Sequence, residues 1–244
     1  MTRIIINGSK GRMGQALVAC AQKYRGLELV AQVDQGDSLD AVVGKGDVVL
    51  DFSSHAVTVE VATLCARHGK ALVIGTTGFS QGETAVIRGY AERIPVVLSP
   101  NMSQGVNILF HLVKQAAELL GEEFDIEIQE IHHNQKKDAP SGTALQFGRI
   151  IAEAKKKDLA DIAVYGRQGM IGERKKGEIG IMAMRVADVV GEHTIVFGGP
   201  GERIEFTHKA SSRKTFASGA LRAVKYIQGK NKGLYTMKDV LGLS

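Results

Sequence analysis

The segment that decides the fold is Ile4-Ile5-Ile6-Asn7-Gly8-Ser9-Lys10-Gly11-Arg12-Met13-Gly14. In it, an apolar run typical of a β-strand leads into a glycine-rich turn and then into a helical pattern. Gly8 allows the tight turn, Gly11 lets the backbone approach a pyrophosphate, and Gly14 lets the helix lie close to the strand. The N–H groups at the start of the helix would bind the phosphates. The spacing G-x-x-G-x-x-G is a variant of G-x-G-x-x-G, and between a strand and a helix it predicts a dinucleotide site.

An acidic residue at the end of the second predicted strand supports this interpretation. Asp34 follows Gly14 by 20 residues, where a carboxylate can accept a hydrogen bond from the adenosine ribose 2′-hydroxyl. The same charge would repel a 2′-phosphate, whereas Lys10 and Arg12 are close enough in sequence to attract one. We therefore predict that NADH is used and NADPH is tolerated, although the ratio between them stays open.

The first hundred residues alternate short β-rich runs with helical patterns. The strands are apolar without alternation, as expected when helices cover both faces of a sheet. Repeated βα units of this kind predict a Rossmann-type, doubly wound parallel sheet in an α/β protein. The predicted strands are Arg3–Asn7, Leu27–Val33, Val48–Phe52, Ala71–Ile74 and Val96–Leu98, and the predicted helices are Met13–Tyr24, Ala56–His68 and Gly82–Ala91.

A different pattern follows Pro100 and predicts a second, smaller α+β domain for the substrate. Residues 124–129 alternate apolar and polar side chains, which is typical of a strand with one wet face, and further strands cluster with few helices between them. A mixed or antiparallel sheet is therefore expected. The predicted elements are helices over Gln104–Leu120 and from after Ser141 to about Lys157, and strands over Ile179–Val186, Thr194–Phe197 and Ile204–Ala210.

The C-terminal segment returns to helical character over Thr215–Ile227, with an apolar stripe that we expect to pack on the first domain. The predicted division is residues 1–102 and 215–244 for the dinucleotide-binding domain. Residues 103–214 would then form the substrate-binding and oligomerisation domain.

Further loops at the carboxyl ends of parallel strands extend the predicted cofactor site, because ligands bind at that edge of such sheets. Gly75-Thr76-Thr77-Gly78, Ser99-Pro100-Asn101-Met102 and Asp51-Phe52-Ser53 all fall there, although each alone is also compatible with a plain turn. The predicted cofactor-binding residues are Gly8, Ser9, Lys10, Gly11, Arg12, Met13, Asp34, Gly75, Thr76, Thr77, Ser99, Pro100, Asn101 and Met102.

The densest cluster of reactive side chains lies in residues 130–144. His132 and His133 can exchange protons near neutral pH, and Lys136 offers a compact cation for a carboxylate. A solvated or metal-binding role is the alternative for the histidine pair. A metal site is disfavoured because no third or fourth ligand occurs at suitable spacing.

The same cluster ends in a predicted helix start that can bind an anion. Ser141 suits an N-cap after Pro140, and Gly142 and Thr143 would present backbone N–H groups to a ligand. A simple capping role for Ser141 remains the alternative. Together, the proton source, the cation and the helix start suit a substrate that carries carboxylates and takes up a proton on reduction.

Composition narrows the partners. The net charge is +5 and the pI is about 9.1, which favours anionic ligands, but the basic residues are dispersed and Trp is absent, unlike most nucleic-acid binders. No apolar run is long enough to span a membrane. Cys20 and Cys65 fall in helical patterns and are predicted to be reduced in a cytoplasmic protein. We expect no nucleic-acid or membrane partner and no metal.

The motifs resemble those of the dihydrodipicolinate reductase family of the diaminopimelate–lysine pathway. The resemblance extends over nearly the whole chain and is most specific in Lys136–Ala144. It is carried by Gly8–Gly14, Gly75–Gly78, Asn101, Gly105–Asn107, His132–Ala144, Gly191–Thr194, Gly201–Ile204 and Thr207–Arg213.

The resemblance implies that His132 is the proton donor and Lys136 the second catalytic donor, with His133, Ser141, Gly142 and Thr143 binding a dicarboxylate substrate. It further implies hydride transfer from NADH or NADPH to ring carbon 4 of a cyclic imine, after or with loss of a hydroxyl group. Protonation of the neighbouring carbon then gives tetrahydrodipicolinate. The family's homotetramer and hinge closure are also implied. Many members carry an acid followed by Arg at the ribose position, and the Asp34-Gln35 pair here argues against strong NADPH selectivity.

Other function classes stay open from the residues alone. A different two-domain dehydrogenase would share the first domain but would place a catalytic Cys or another base at the domain junction, and neither Cys20 nor Cys65 is so placed. A dinucleotide sensor would not need the 130–144 cluster, and a nucleic-acid binder would lose affinity linearly with log salt. Neither the oligomeric state nor whether the enzyme catalyses dehydration of its substrate is determined by the sequence.

Overall fold

The computed structural model describes residues 1–243. The chain divides into two compact units, one formed by residues 1–104 with the segment from Arg213 onward, the other by Gly105–Ser212. Both boundaries between the units, after residue 104 and after residue 212, lie two residues from the predicted boundaries after residues 102 and 214. No helix in the described part of the chain is long and apolar enough to cross a bilayer.

The first unit is a six-stranded parallel sheet in the order β11-β5-β4-β3-β1-β2. Every adjacent pair of strands is parallel, which confirms the predicted doubly wound class. Its elements are β1 (Thr2–Asn7), α1 (Arg12–Ala21), β2 (Leu27–Val33), a 3-10 turn (Val43–Lys45), β3 (Val48–Asp51), α2 (His55–Arg67), β4 (Ala71–Ile74), α3 (Gln81–Tyr90), β5 (Pro95–Leu98), α7 (Lys214–Ile227), β11 (Gly233–Tyr235) and α8 (Met237–Leu241).

Both faces of this sheet are covered because successive apolar side chains point to opposite sides. In β1, Ile4 and Ile6 pack in one core cluster with α1 and α7, while Ile5 packs in a second cluster with α2 and α3. All three are fully buried. β1 pairs with β2 on one side and β3 on the other, so the direction of winding reverses there and leaves a crevice at the carboxyl ends of these strands.

The second unit is a five-stranded mixed sheet in the order β10-β9-β6-β8-β7. β6 pairs parallel with β8 and antiparallel with β9, and β9 pairs antiparallel with β10. Its elements are α4 (Gln104–Leu119, whose first residue belongs to the first unit), β6 (Asp125–His132), α5 (Gly142–Ala154), α6 (Leu159–Ile162), β7 (Ala163–Val164), β8 (Ile179–Arg185), β9 (Gly191–Gly199) and β10 (Glu202–Ala210).

Only one face of this sheet is covered by helices, and the strands alternate accordingly. Ile126 and Ile128 of β6 are buried with Ile195 of β9 against α4 and α5, and Phe147 of α5 is fully buried among them. Glu127 and Gln129 lie on the other face. The predicted mixed sheet is therefore confirmed.

The prediction for β6 was wrong at its carboxyl end. The strand continues from Gln129 to His132 because Glu130, Ile131 and His132 keep their pairing with β8, and the first two also pair with β9. The alternating pattern fades there because polar side chains occupy the inward positions. Four short elements, α6, α8, β7 and β11, span only two to five residues each, which is too short for a periodicity to reveal them.

Gly14 gives a direct test of the close packing between α1 and β1. A Cβ at this position would lie 2.1 Å from the carbonyl oxygen of Gly8, so Gly14→Ala should lower the free energy of unfolding by about 1–3 kcal/mol. Gly89→Ala is the control, because Gly89 lies in α3 with open space around it and should gain about 0.5–1 kcal/mol. Urea unfolding measures both. An unchanged midpoint for Gly14→Ala would contradict the packing.

Candidate active site

The dinucleotide loop closes tightly around the start of α1. Gly8 has a positive φ of 79°, and α1 begins at Arg12 after Gly11, which supplies no side-chain cap to the first turn. The first N–H groups of α1 therefore meet no capping side chain, and they form the cradle that a pyrophosphate needs. This loop fits the predicted dinucleotide.

Asp34 lies beside the loop, directly after β2. Its Oδ2 accepts a hydrogen bond from the Lys10 backbone N–H at 2.6 Å, and its Oδ1 accepts one from the Gln35 N–H at 2.8 Å. These backbone hydrogen bonds, Lys10 first, lower the pKa of Asp34 below its usual value. The carboxylate is thus ionised and held in place, with lone pairs left for a hydroxyl group.

A cavity of about 840 Å³ opens at this edge of the sheet, lined by Gly8, Gly11, Asp34, Phe52 and Ser53 among others. Its volume is in the range of cofactor sites. The lining joins the ends of β1, β2 and β3, so it occupies the crevice that the strand order creates.

Asp51 ties the loops at this edge together. It ends β3, is fully buried and accepts four hydrogen bonds from side chains at the end of β1, in the loop after β3, in the first turn of α2 and in the loop after β4. The donors are Asn7 Nδ2 at 2.7 Å, Ser53 Oγ at 2.6 Å, Thr58 Oγ1 at 2.6 Å and Thr76 Oγ1 at 2.9 Å. The Thr76 side chain is therefore turned toward this carboxylate.

The predicted cofactor residues between β5 and α4 differ from one another in exposure and in the direction of their side chains. Ser99 is buried and its Oγ donates to the Asn101 carbonyl oxygen at 2.8 Å. Pro100 is exposed and Asn101 half-buried. Met102 is 2% exposed and packs in the core cluster with β1 and α7, so its side chain is directed into the core. Among the other predicted residues, Ser9 and Thr76 are buried, Gly8, Met13 and Gly75 half-buried, and Lys10, Gly11, Arg12 and Thr77 exposed.

The chemical cluster is built on one row of the second sheet. Glu130 and His132 alternate with Ile131 on β6, so both point to the face that carries α5. His132 Nδ1 lies 2.6 Å from Glu130 Oε2. His132 lies opposite Arg185 of β8, and Glu130 lies opposite His193 of β9. The strand pairing thus brings four polar side chains together at the edge of the apolar core.

Glu130 is the charge at the centre of this group. Its side chain has no exposed surface, and Arg185 donates from Nη1 to Oε2 and from Nη2 to Oε1, both at 2.9 Å. Burial by itself raises the pKa of Glu130, but the hydrogen bonds from His132 and Arg185 outweigh it and lower the pKa to about 2. Glu130 is ionised at any physiological pH.

Ser141 and His193 form the floor of the cluster. Ser141 is the N-cap of α5 and accepts from the Ala144 N–H at 3.1 Å, while its own N–H donates to Glu130 Oε1 at 2.9 Å. Ser141 Oγ is also 3.0 Å from His193 Nε2. Burial, followed by the nearby His132, lowers the pKa of His193 to about 3, so this second imidazole is neutral.

The remaining predicted residues lie around this floor. Lys136 Nζ is 2.8 Å from Asp138 Oδ1, and its side chain is 20% exposed. His133 and Thr143 are half-buried, and Gly142 is exposed at the first position of α5. Within residues 1–243, no group of three or more His, Cys, Asp or Glu is arranged to hold a metal ion.

Comparison with known proteins identifies the family of this chain. A family model of the dihydrodipicolinate reductase N-terminus matches residues 2–102, and a model of the C-terminus matches residues 105–241. The chain belongs to the dihydrodipicolinate reductase family. The reductase assignment expected from the motifs is thereby confirmed.

Individual relatives agree with the family assignment. The 4-hydroxy-tetrahydrodipicolinate reductase of Desulfotalea psychrophila is 46% identical over 266 residues, covering 100% of this chain and 99% of that protein. The enzyme of the same name from Anaeromyxobacter sp. is 47% identical, with 100% and 98% covered. The structure of dipicolinate-bound dihydrodipicolinate reductase from Paenisporosarcina sp. TG-14 matches with a TM-score of 0.79 at 27% identity, covering 98% of each chain.

Four residues that shape the reductase site were missed from sequence. The spacing Glu130-x-His132 was a usable signal, since residues two apart on a strand share a face. Asp51 was noticed only as part of a loop. Arg185 and His193 lie 53 and 61 residues beyond His132 in the chain and reach it only through the sheet, so no local spacing joins them to it. The Gly191–Thr194 motif contains His193 but did not assign it to the site.

His193 predicts a pH dependence of stability in the reductase. Its folded pKa of about 3 lies below its ordinary value of 6.5, so the unfolded chain binds more protons as the pH falls through that window. The unfolding free energy should therefore fall from pH 6.5 toward pH 3, by at most about 1.4 kcal/mol per pH unit from this group. His193→Gln should flatten the dependence in urea unfolding between pH 7 and 4.

The matched control is His68→Gln, which changes an exposed imidazole at the end of α2 and should keep the wild-type slope. Identical slopes for wild type and His193→Gln would contradict the buried neutral imidazole.

Proposed function

We propose that His132 and Lys136 carry out the reduction of 4-hydroxy-tetrahydrodipicolinate in this chain, giving tetrahydrodipicolinate for diaminopimelate and lysine synthesis. The single observation that supports this most is the 2.6 Å contact between His132 and the ionised, fully buried Glu130. It holds an imidazole as a proton donor within the same short segment as Lys136 and the start of α5.

The reaction needs an acid as well as a reductant. Loss of the 4-hydroxyl group of the substrate as water gives a conjugated imine, to which a bound reduced nicotinamide would supply hydride at ring carbon 4. The electron density left on the ring then takes up a proton at the neighbouring carbon. His132 can donate that proton, since Glu130 holds the ring in place through Nδ1. A positioned acid of this kind contributes about 10²–10⁴-fold to the rate.

The carboxylates of the substrate require cationic and N–H donors. Lys136 supplies the cation, and a carboxylate would compete with Asp138 for its ammonium group, now 2.8 Å away. Gly142 and Thr143 supply backbone N–H groups in the first turn of α5, and we assign His133 to substrate binding from the family resemblance. Because the Ser141 hydroxyl is 2% exposed and already bonded, we assign Ser141 to shaping this turn rather than to direct contact.

Replacement of the two catalytic side chains tests these roles. His132→Gln should lower kcat by about 10²–10⁴-fold with a much smaller change in KM, because it removes an interaction made in the transition state. Lys136→Ala should lower kcat and raise KM for the substrate. Steady-state oxidation of NADH with freshly prepared substrate measures both.

Lys137→Ala provides the control, since Lys137 is the exposed neighbour of Lys136 and should behave as wild type. Ordinary turnover by His132→Gln would remove His132 as the proton donor. An inactive wild type would refute the proposed function itself.

Asp34 governs the choice of nicotinamide cofactor in this proposal. Its ionised carboxylate accepts a ribose 2′-hydroxyl and repels a 2′-phosphate, and Asp37 lies 3.9 Å from the Lys10 ammonium group, which offsets the cation that could attract that phosphate. We therefore expect NADH to be used at least as well as NADPH, and Asp34→Asn to shift the ratio of kcat/KM values toward NADPH by about tenfold, or about 1.4 kcal/mol. Asp161→Asn, on the second unit, should leave the ratio unchanged.

A wild-type preference for NADPH of more than about tenfold would show that Asp34 does not act as the 2′-hydroxyl acceptor.

The cellular setting is part of the same proposal. The free cysteines are half-buried Cys20 and buried Cys65, and burial raises the pKa of Cys65 to about 12, which suits a reducing cytoplasm. A homotetramer is supported by the helix-free face of the second sheet, where Met184 is 43% exposed, and by the exposed Met170 and Ile171. Light scattering on the purified protein tests the tetramer.

A further inference from the structure

We propose that Glu130, held by Arg185, is the positioning residue of His132: it fixes Nδ1 as the N–H donor and leaves Nε2 as the nitrogen that exchanges the catalytic proton. The proposal rests on the proposed role of His132 in proton transfer. It adds two residues to the reaction, and neither touches the reacting atoms.

The hydrogen-bond inventory fixes the tautomer. An ionised carboxylate only accepts hydrogen bonds, and Glu130 Oε2 lies 2.6 Å from His132 Nδ1. The hydrogen between them must therefore belong to Nδ1, whether the ring is neutral or protonated. Only Nε2 can then gain or lose a proton without breaking this contact.

The carboxylate cannot easily turn away from His132. The planar guanidinium of Arg185, on β8, donates to both carboxylate oxygens of Glu130, and the Ser141 N–H before α5 donates to Oε1. A bidentate arginine–carboxylate pair fixes the orientation of the carboxylate as well as neutralising its charge. Arg185 Nη2 also donates to the Asp138 carbonyl oxygen at 2.7 Å, so the same guanidinium is joined to the loop that carries Lys136.

Gly191 leaves more room at the other nitrogen of the ring than any other residue would. His132 Nε2 would lie 3.0 Å from a Cβ placed at Gly191, the first residue of β9. That separation is tighter than ordinary contact, so glycine leaves room at the nitrogen that the proposal assigns to proton exchange. An alanine there would press on the reactive nitrogen.

The other titratable groups around the ring are consistent with this assignment. Glu130 faces His132 from the same strand, Arg185 from β8, and His193 from β9 with ring centroids 5.2 Å apart. His208 of β10 is paired with His193 of β9 across the sheet. Lys136 and Asp138 lie in the loop after β6. His193 is neutral, because burial lowers its pKa to about 3, and His132 is the imidazole of this pair that contacts Glu130.

Nuclear magnetic resonance of the wild-type protein tests the tautomer without any change to the site. Long-range ¹H–¹⁵N spectra of histidine-labelled enzyme, assigned by comparison with His132→Gln, should show neutral His132 with its hydrogen on Nδ1. A neutral ring with its hydrogen on Nε2 would overturn the proposal. This readout does not depend on turnover.

Glu130→Gln tests the consequence for catalysis. We expect kcat to fall by about 10–100-fold, in the range of lost second-layer partners, while KM for NADH changes less than about twofold. Arg185→Lys should cause a smaller loss in the same direction, and Glu202→Gln, at an exposed position of β10, should match wild type.

A double variant that combines Glu130→Gln with His132→Gln distinguishes a role in positioning His132 from a general loss of structure. If Glu130 acts through His132, adding Glu130→Gln to His132→Gln should change kcat by less than about threefold. An equal loss in both backgrounds would overturn the proposal. If Glu130→Gln does not fold, the spectra and Arg185→Lys still decide. Failure of the proposed function would appear separately, as an inactive wild type.

Discussion

A buried carboxylate must be surrounded by hydrogen-bond donors, and this requirement organises both units of the chain. An ionised side chain removed from water costs several kcal/mol unless donors replace the solvent. Asp51 in the first unit receives four side-chain donors, and Glu130 in the second receives three partners. Each carboxylate therefore fixes the segments that bring those donors.

The two carboxylates hold different kinds of structure in place. Asp51 ends β3 and joins the end of β1, the first turn of α2 and the loop after β4, and its partners Asn7 and Ser53 line the cavity of about 840 Å³. Glu130 lies near the end of a strand in the mixed sheet and joins a helix start, a neighbouring strand and an imidazole. In the first unit the network shapes a binding surface, whereas in the second it orients a reactive group.

Helix starts serve the two units in the same way. α1 begins without a side-chain cap after Gly11, which leaves its N–H groups for a ligand's phosphates. α5 begins at Gly142 after the N-cap Ser141, whose hydroxyl accepts a hydrogen bond from the third N–H group of the turn. Gly11 before α1 and Gly142 at the start of α5 have no side chain to keep an anion from the backbone, and the positive end of the helix favours its charge.

The sequence by itself predicted the parallel sheet, the glycine-rich loop after β1 and the position of the reactive cluster in residues 130–144. Each depends on neighbouring residues. The sheet follows from unbroken apolar strands, the loop from its glycine spacing, and the cluster from a run of His, Lys and Ser before a helix. Local patterns also located most helices and strands, though β6 was ended too early where polar residues take inward positions. Only the tertiary structure decided that Arg185 and His193 join His132, and that Met102 is directed into the core. The physical reason is that strand order and register place distant residues on one rung of a sheet, and no local spacing specifies which strands become neighbours.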